Sequence, residues 1–320
     1  MRKHQDRGLL VALACLGAAQ ACAETETHVA PPVEPQFAIA TRLDRSGRIV
    51  VPVYIDDHGP YRFLLDTGAT HSAVSDRLVA ALQLPTDTGP ELIVHGVTGL
   101  VSTQACSLKT LRFGSISYPH PRLPVLGGYV LEGLDGILGM DHLANKRITA
   151  DFVHDRVTVS ESAGRRGSGK YFVVQARTVS GLLLQIDGRA GEQAVRAVID
   201  TGSSHTLGNP ALYSALRRHS RNLEPPPTAD VVDATQTTEV GDVRIVSPIE
   251  MGQIKVTNTA VTFGDFQVFR LWGLQEQPAL LLGMDVLGTL QELTIDYRRH
   301  EVLFLTQPGT EIVPGFFQKP

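Results

Sequence analysis

The chain has 320 residues, 42% hydrophobic and 19% charged, enough for about two domains at roughly 150 residues each and unlike a disordered polymer. Its formal net charge is −4, and no lysine or arginine run is long enough to follow a phosphate backbone. Nucleic acid is therefore excluded as an expected partner.

The first residues read as a targeting segment. Arg2, Lys3 and Arg7 precede an apolar stretch from Gly8 to Ala19, and Ala21-Cys22-Ala23 supplies small residues where a signal peptidase cuts. Residues 1–23 are therefore expected to be a signal peptide, with a secreted or periplasmic product. Membrane contact is expected only through an uncleaved or lipidated N-terminus. Removing this segment takes the formal charge to −6 and leaves Cys106 as the sole cysteine, so no internal disulfide is expected. Residues 24–36 are polar and proline-rich, the composition of a linker or leader.

From Ile39 onward, short β-branched runs alternate with Gly, Asp and Pro turns, as in Ile49 to Ile55, the turn at Asp57 to Pro60, and Tyr61 to Leu65. A lobe is expected over 37–160. Residues 161–170, with three glycines and Arg165-Arg166, read as an exposed connector, where paired arginines are more often without consequence than a processing site. A second lobe is expected over 171–306, with a proline loop at Glu224 to Pro227 and a tail at 307–320.

An internal repeat spans the connector. Phe63-Leu-Leu-Asp66-Thr67-Gly68-Ala69 is answered by Ala197-Val-Ile-Asp200-Thr201-Gly202-Ser203. Leu78 and Leu82 follow Asp66 at the offsets of Leu212 and Leu216 from Asp200, one stripe of a short helix in each half. Ser75 is expected to cap the first helix, and Asn209-Pro210 to start the second. Ile137-Leu138-Gly139-Met140-Asp141 matches Leu281-Leu282-Gly283-Met284-Asp285, and Ile148 to Phe152 matches Leu293 to Tyr297. One lobe was built twice.

A lone Asp-Thr-Gly is usually a plain turn, but two copies in duplicated lobes place two carboxylates near a pseudo-twofold axis. Carboxylates in contact cannot easily both ionise, so the pair holds one proton over mildly acidic pH. One member then acts as a base on water while the other hydrogen-bonds a substrate carbonyl. This is the dyad logic known from aspartic proteases. It needs no metal and no cofactor, and none is expected.

These repeated motifs resemble the pepsin/retropepsin clan of aspartic proteases. The short spacing, with Gly139 73 residues after Asp66 and Gly283 83 after Asp200, is similar to bacterial retropepsin-like units. The resemblance covers roughly residues 37–306. It implies an all-β, two-lobed acid-protease fold, with two retropepsin-like β-barrel-type lobes about a pseudo-twofold axis. It also implies a monomer with an intrachain cleft that hydrolyses polypeptide as an endopeptidase. Asp66 and Asp200 would be catalytic, Thr67 and Thr201 would cross-link the turns, and Gly68 and Gly202 would allow them. Gly139 and Gly283 would be packing positions behind the site.

A flap is implied as well. Leu92 to Val101 reads as a hairpin with a glycine-flanked tip, which makes His95, Gly96 and Gly99 the flap and substrate-binding candidates. Val231 to Val243 is equivalent in order but has no glycine before Gly241, so the first hairpin is expected to be the mobile one, and no counterpart of the pepsin-type flap tyrosine stands out. The rival reading is a catalytically inactive peptide-binding or scaffold module on the same fold.

Other residues read as structural. His71 and His205 fit a packing or capping role, and Asp141 and Asp285 fit helix caps. Asp151 and Asp296 fit turns or edges, and Cys106, Phe269 and Trp272 fit the core.

Overall fold

The computed structural model describes residues 36–306, apart from 45, 129–130, 132, 144–145, 163–170 and 219–224. The signal segment, almost all of the leader, the Arg165-Arg166 pair, Glu224 and the tail thus lie outside the described residues. Among those described, strands dominate and helices are short.

The apolar triplets that precede each Asp-Thr-Gly become the last residues of strands His58–Leu65 and Gln193–Ile199. They are apolar throughout because both faces of the sheet are covered. Phe63 and Leu65 point into a core that runs through both lobes, while Leu64 joins a separate cluster with Val50, Ala73, Leu126 and Ile137. The second lobe divides its residues the same way. Ala197 and Ile199 enter the common core, and Val198 packs with Leu207, Phe266, Phe269, Trp272 and Leu281. Phe269 and Trp272 meet edge to face at 6.2 Å and are core residues. Each such side chain contributes about 1.5–3 kcal/mol through burial.

In the first lobe the strands run in the order Ile116–Pro119, Thr110–Phe113, Ile49–Ile55, His58–Leu65, Gly136–Leu138, Ala73–Ser75, Arg122–Leu126, Ala105–Ser107. The described strand path is open at both ends. Gly136–Leu138 lies parallel to His58–Leu65, pairing Leu138 with Leu65, and Ala279–Leu282 lies parallel to Gln193–Ile199, pairing Leu282 with Ile199. The two repeated Leu-Gly motifs therefore end beside the two Asp-Thr-Gly turns.

The lobes are joined by six antiparallel strands: Gln36–Ala40, Arg156–Glu161, Lys146–Asp151, Glu292–Asp296, Glu301–Leu305 and Phe172–Val179. At the centre Thr149 pairs with Thr294, its repeat equivalent, and their hydroxyls are 2.8 Å apart. The pseudo-twofold axis passes through this pair. Asp296 is not an edge residue. It is fully buried in this sheet, where it takes an ion pair from Arg147 at 2.9 Å and a hydrogen bond from Ser162.

Helix Asp76–Leu82 starts where the Ser75 side chain accepts the Leu78 N–H, and helix Pro210–Arg217 where Asn209 accepts the Leu212 N–H. Leu78 and Leu212 face the core. Cys106 is fully buried, and burial pushes its thiol up to about 11.

Candidate active site

Each Asp-Thr-Gly turn leaves its strand at a fixed point because the Asp N–H donates to the neighbouring strand end. Asp66 bonds the Leu138 carbonyl and Asp200 the Leu282 carbonyl, both at 3.1 Å. Behind the turns no side chain fits at the repeated glycines. A β-carbon on Gly139 would lie 2.6 Å from the His71 carbonyl, and one on Gly283 would lie 2.6 Å from that of His205. The histidine backbones do this packing, while both imidazoles are exposed rather than packed.

The threonines tie the lobes together. Thr67 Oγ1 donates to the Ile199 carbonyl at 2.9 Å and accepts the Thr201 N–H at 3.0 Å. Thr201 Oγ1 donates to the Leu65 carbonyl at 2.7 Å and accepts the Thr67 N–H at 3.2 Å. All four bonds are buried and cross between halves of the chain.

This cross-link brings the carboxyls together. Asp66 accepts the Gly68 N–H at 2.8 Å, and Asp200 accepts those of Gly202 and Ser203 at 2.8 and 3.2 Å. Each carboxyl also sits on the opposite turn. A β-carbon on Gly68 would be 2.5 Å from the Asp200 carboxyl carbon, and one on Gly202 would overlap that of Asp66. Neither glycine has a positive φ. Glycine is required here by the approach of the other lobe's carboxyl, not by the turn geometry that the sequence suggests.

Asp200 is 5% exposed and Asp66 keeps partial exposure. Burial raises both above the ordinary carboxylate range. Asp200 is raised further by the negative charge of Asp66, and Asp66 is held lower by the hydrogen bond it receives from Asp200. Burial and like charge together favour one proton held by the pair.

The hairpin Leu92–His95 and Leu100–Thr103 is closed by the Gly96 N–H donating to the Gly99 carbonyl at 2.7 Å. Its tip reaches the second lobe. The Thr98 N–H donates to Asp233 at 2.8 Å, Thr98 Oγ1 donates to the Thr237 carbonyl at 2.9 Å, and the Val268 N–H donates to the Val97 carbonyl. Gly96 and Gly99 lie against Asp233 and Thr237 with no room for a β-carbon. His95 Nδ1 is 3.3 Å from Gln267 Nε2.

The second-lobe hairpin meets the first one tip to tip. Its strands Thr228–Val232 and Thr238–Val246 meet at a tip where Gln236 takes the left-handed conformation at φ 63°. That tip carries Asp233, Thr235 and Thr237. Val97 packs on the second lobe's apolar cluster and Ala234 on the first lobe's, so the tips exchange partners. Asp233, Thr235 and Thr237 escaped sequence reasoning because the αL position is filled by glutamine.

Two lobes about a pseudo-twofold axis, with twin Asp-Thr-Gly turns in contact, define the two-lobed acid-protease fold. A family model described as aspartyl protease matches residues 51–142 and 184–286, one match in each lobe. The chain belongs to that aspartyl protease family, of retropepsin-like type. Comparison with curated proteins returned no match.

Proposed function

We propose that the protein is an aspartic endopeptidase in which Asp66 and Asp200 activate a water against an extended polypeptide. The observation that carries this reading is the contact of the two carboxyls, each seated on the other's glycine and each pushed toward protonation by burial. The ionised member of the pair takes a proton from water as the water oxygen bonds to the scissile carbonyl carbon. The protonated member gives its proton to the carbonyl oxygen. The member that took the water proton then gives it to the amide nitrogen, the other takes back a proton from a hydroxyl of the intermediate, the C–N bond breaks, and a carboxylic acid and an amine leave.

The hairpin bearing His95, Gly96 and Gly99 closes over the peptide, with the Asp233–Thr237 tip as its counterpart. Since both turns come from one chain, the working unit is a monomer. The basic, apolar and small-residue order of residues 1–23 supports delivery to the periplasm or exterior. No helix among the described residues is long and apolar enough to cross a membrane.

The test is a diverse peptide library incubated with the protein from mildly acidic to neutral pH and read by mass spectrometry. Cleavage by the wild type, absent with the Asp66→Asn/Asp200→Asn double variant, supports the reading. Binding without any cleavage would replace it with the inactive peptide-binding module.

A further inference from the structure

We propose that Asp141 and Asp285 are positioning residues that hold the two dyad-bearing turns in register through Ser72 and Thr206. Neither aspartate caps its short helix, since the N-cap positions Gly139 and Gly283 make no side-chain cap bond. Their carboxylates turn instead toward the segment that follows the dyad. Asp141 accepts both the Ser72 N–H at 3.0 Å and the Ser72 Oγ–H at 2.8 Å. Asp285 accepts both the Thr206 N–H at 2.9 Å and the Thr206 Oγ1–H at 2.7 Å.

The hydroxyls complete a closed circuit. Ser72 Oγ accepts the Gly139 N–H at 3.0 Å, and Thr206 Oγ1 accepts the Gly283 N–H at 3.2 Å. Each turn is thus pinned where it begins, by the Asp66 or Asp200 N–H on its strand-end carbonyl. It is pinned midway, where the Met140 N–H donates to the Ala69 carbonyl and the Met284 N–H to that of Ser203. It is pinned where it ends, by the aspartate. Ser72 and Thr206 are fully buried and stand six residues after their dyad aspartates.

A carboxylate suits this task because one rigid plane offers two acceptors to the two donors of a single residue. The arrangement recurs in both lobes although the next residue differs, His142 in one and Val286 in the other. His142 Nε2 also faces Asp141 at 3.5 Å. Displacing a reacting group by about 1 Å costs roughly 10²-fold in rate, so a loosened turn is read directly in turnover.

The inference rests on the peptidase reading for its rate effect but not for its geometry. The experiment therefore uses two readings on Asp141→Ala, Asp141→Asn and Ser72→Ala. The first is kcat and KM on a peptide the wild type cleaves. The second is the separation of the two apparent dyad pKa values, followed by carbon-13 NMR of carboxyl-labelled aspartate. Asparagine can turn its oxygen to the Ser72 N–H and its amide to Ser72 Oγ, so it should rescue.

Asp141→Ala and Ser72→Ala are expected to lose roughly 10²-fold in kcat with KM within about twofold, and to narrow the pKa separation. Asp141→Asn is expected to keep the separation and most of kcat. A folded Asp141→Ala protein with wild-type kcat and separation would overturn the proposal. Should that variant fail to fold, Ser72→Ala decides by the same readings. Should the wild type cleave nothing, the peptidase reading falls while the NMR separation still decides the brace.

Discussion

Thr98, at the tip of the first-lobe hairpin, donates its backbone N–H to the carboxylate of Asp233 in the second lobe, at 2.8 Å and out of solvent. The same carboxylate accepts the N–H and hydroxyl of Thr235, so it organises its own tip while holding the other. Opening the cleft means giving up this bond. A hydrogen bond to a charged group is worth about 2 kcal/mol, roughly thirtyfold in an opening equilibrium. Asp233→Ala should therefore speed hydrogen exchange at the Thr98 amide by about that factor, with the interlobe strands unchanged. Unaltered Thr98 protection would show that the tips part at no cost from this contact.

The dyad glycines make a steric prediction. A methyl group at Gly202 collides with Asp66, and one at Gly68 with Asp200. The carboxyls are gripped by their own turns and cannot swing away freely. Gly202→Ala should lose about 1–3 kcal/mol in urea unfolding, as overpacking does, and should separate the carboxyls. Wild-type stability in this variant would mean that the turns do not stand so close.

The threonine cross-link predicts coupling. Thr67→Val keeps the volume but leaves the Ile199 carbonyl and the Thr201 N–H without their buried partner, at about 1–3 kcal/mol for each unsatisfied group. Thr201→Val does the same to the Leu65 carbonyl and the Thr67 N–H. Because these bonds form one network, the double variant should lose less than the sum of the singles, by about 0.5–3 kcal/mol. Additive losses in urea melts would mean that the two threonines act independently.

The raised pKa values of the dyad carry a stability signature. A carboxyl whose folded pKa exceeds its unfolded value binds more protons in the native state, so stability declines as pH rises from about 4 through the folded values. Asp200→Asn removes a member of the pair that burial and the charge of Asp66 raise. It should melt at a higher temperature than the wild type at neutral pH, with the gain shrinking toward pH 3, where both carboxyls are protonated in either state. A destabilised Asp200→Asn at neutral pH would reverse the assigned sign.

Much of this architecture was legible because the chain repeats itself. The matched Asp-Thr-Gly and Leu-Gly-Met-Asp motifs announced two equivalent lobes, and the structure sets Thr149 against Thr294 on the axis between them. What stayed hidden depends on long-range approach. Nothing local tells that Gly202 is required by a carboxyl 136 residues earlier in the chain, or that Gln236 adopts the αL conformation. The role of Asp141 had a readable clue in the common six-residue offset of Ser72 and Thr206. Its direction, toward the turn rather than its own helix, needed coordinates. Asp296 reads as a turn or edge residue in the sequence because its half-buried partner Arg147 is 149 residues away.

The most direct measurement is turnover of one cleaved peptide by Asp66→Asn, Asp200→Asn and the double variant, each checked for native folding. Groups that act as one unit are non-additive, so each single substitution should bring kcat to background and the double should bring it no lower. Wild-type turnover in either folded single variant would contradict the shared-proton pair.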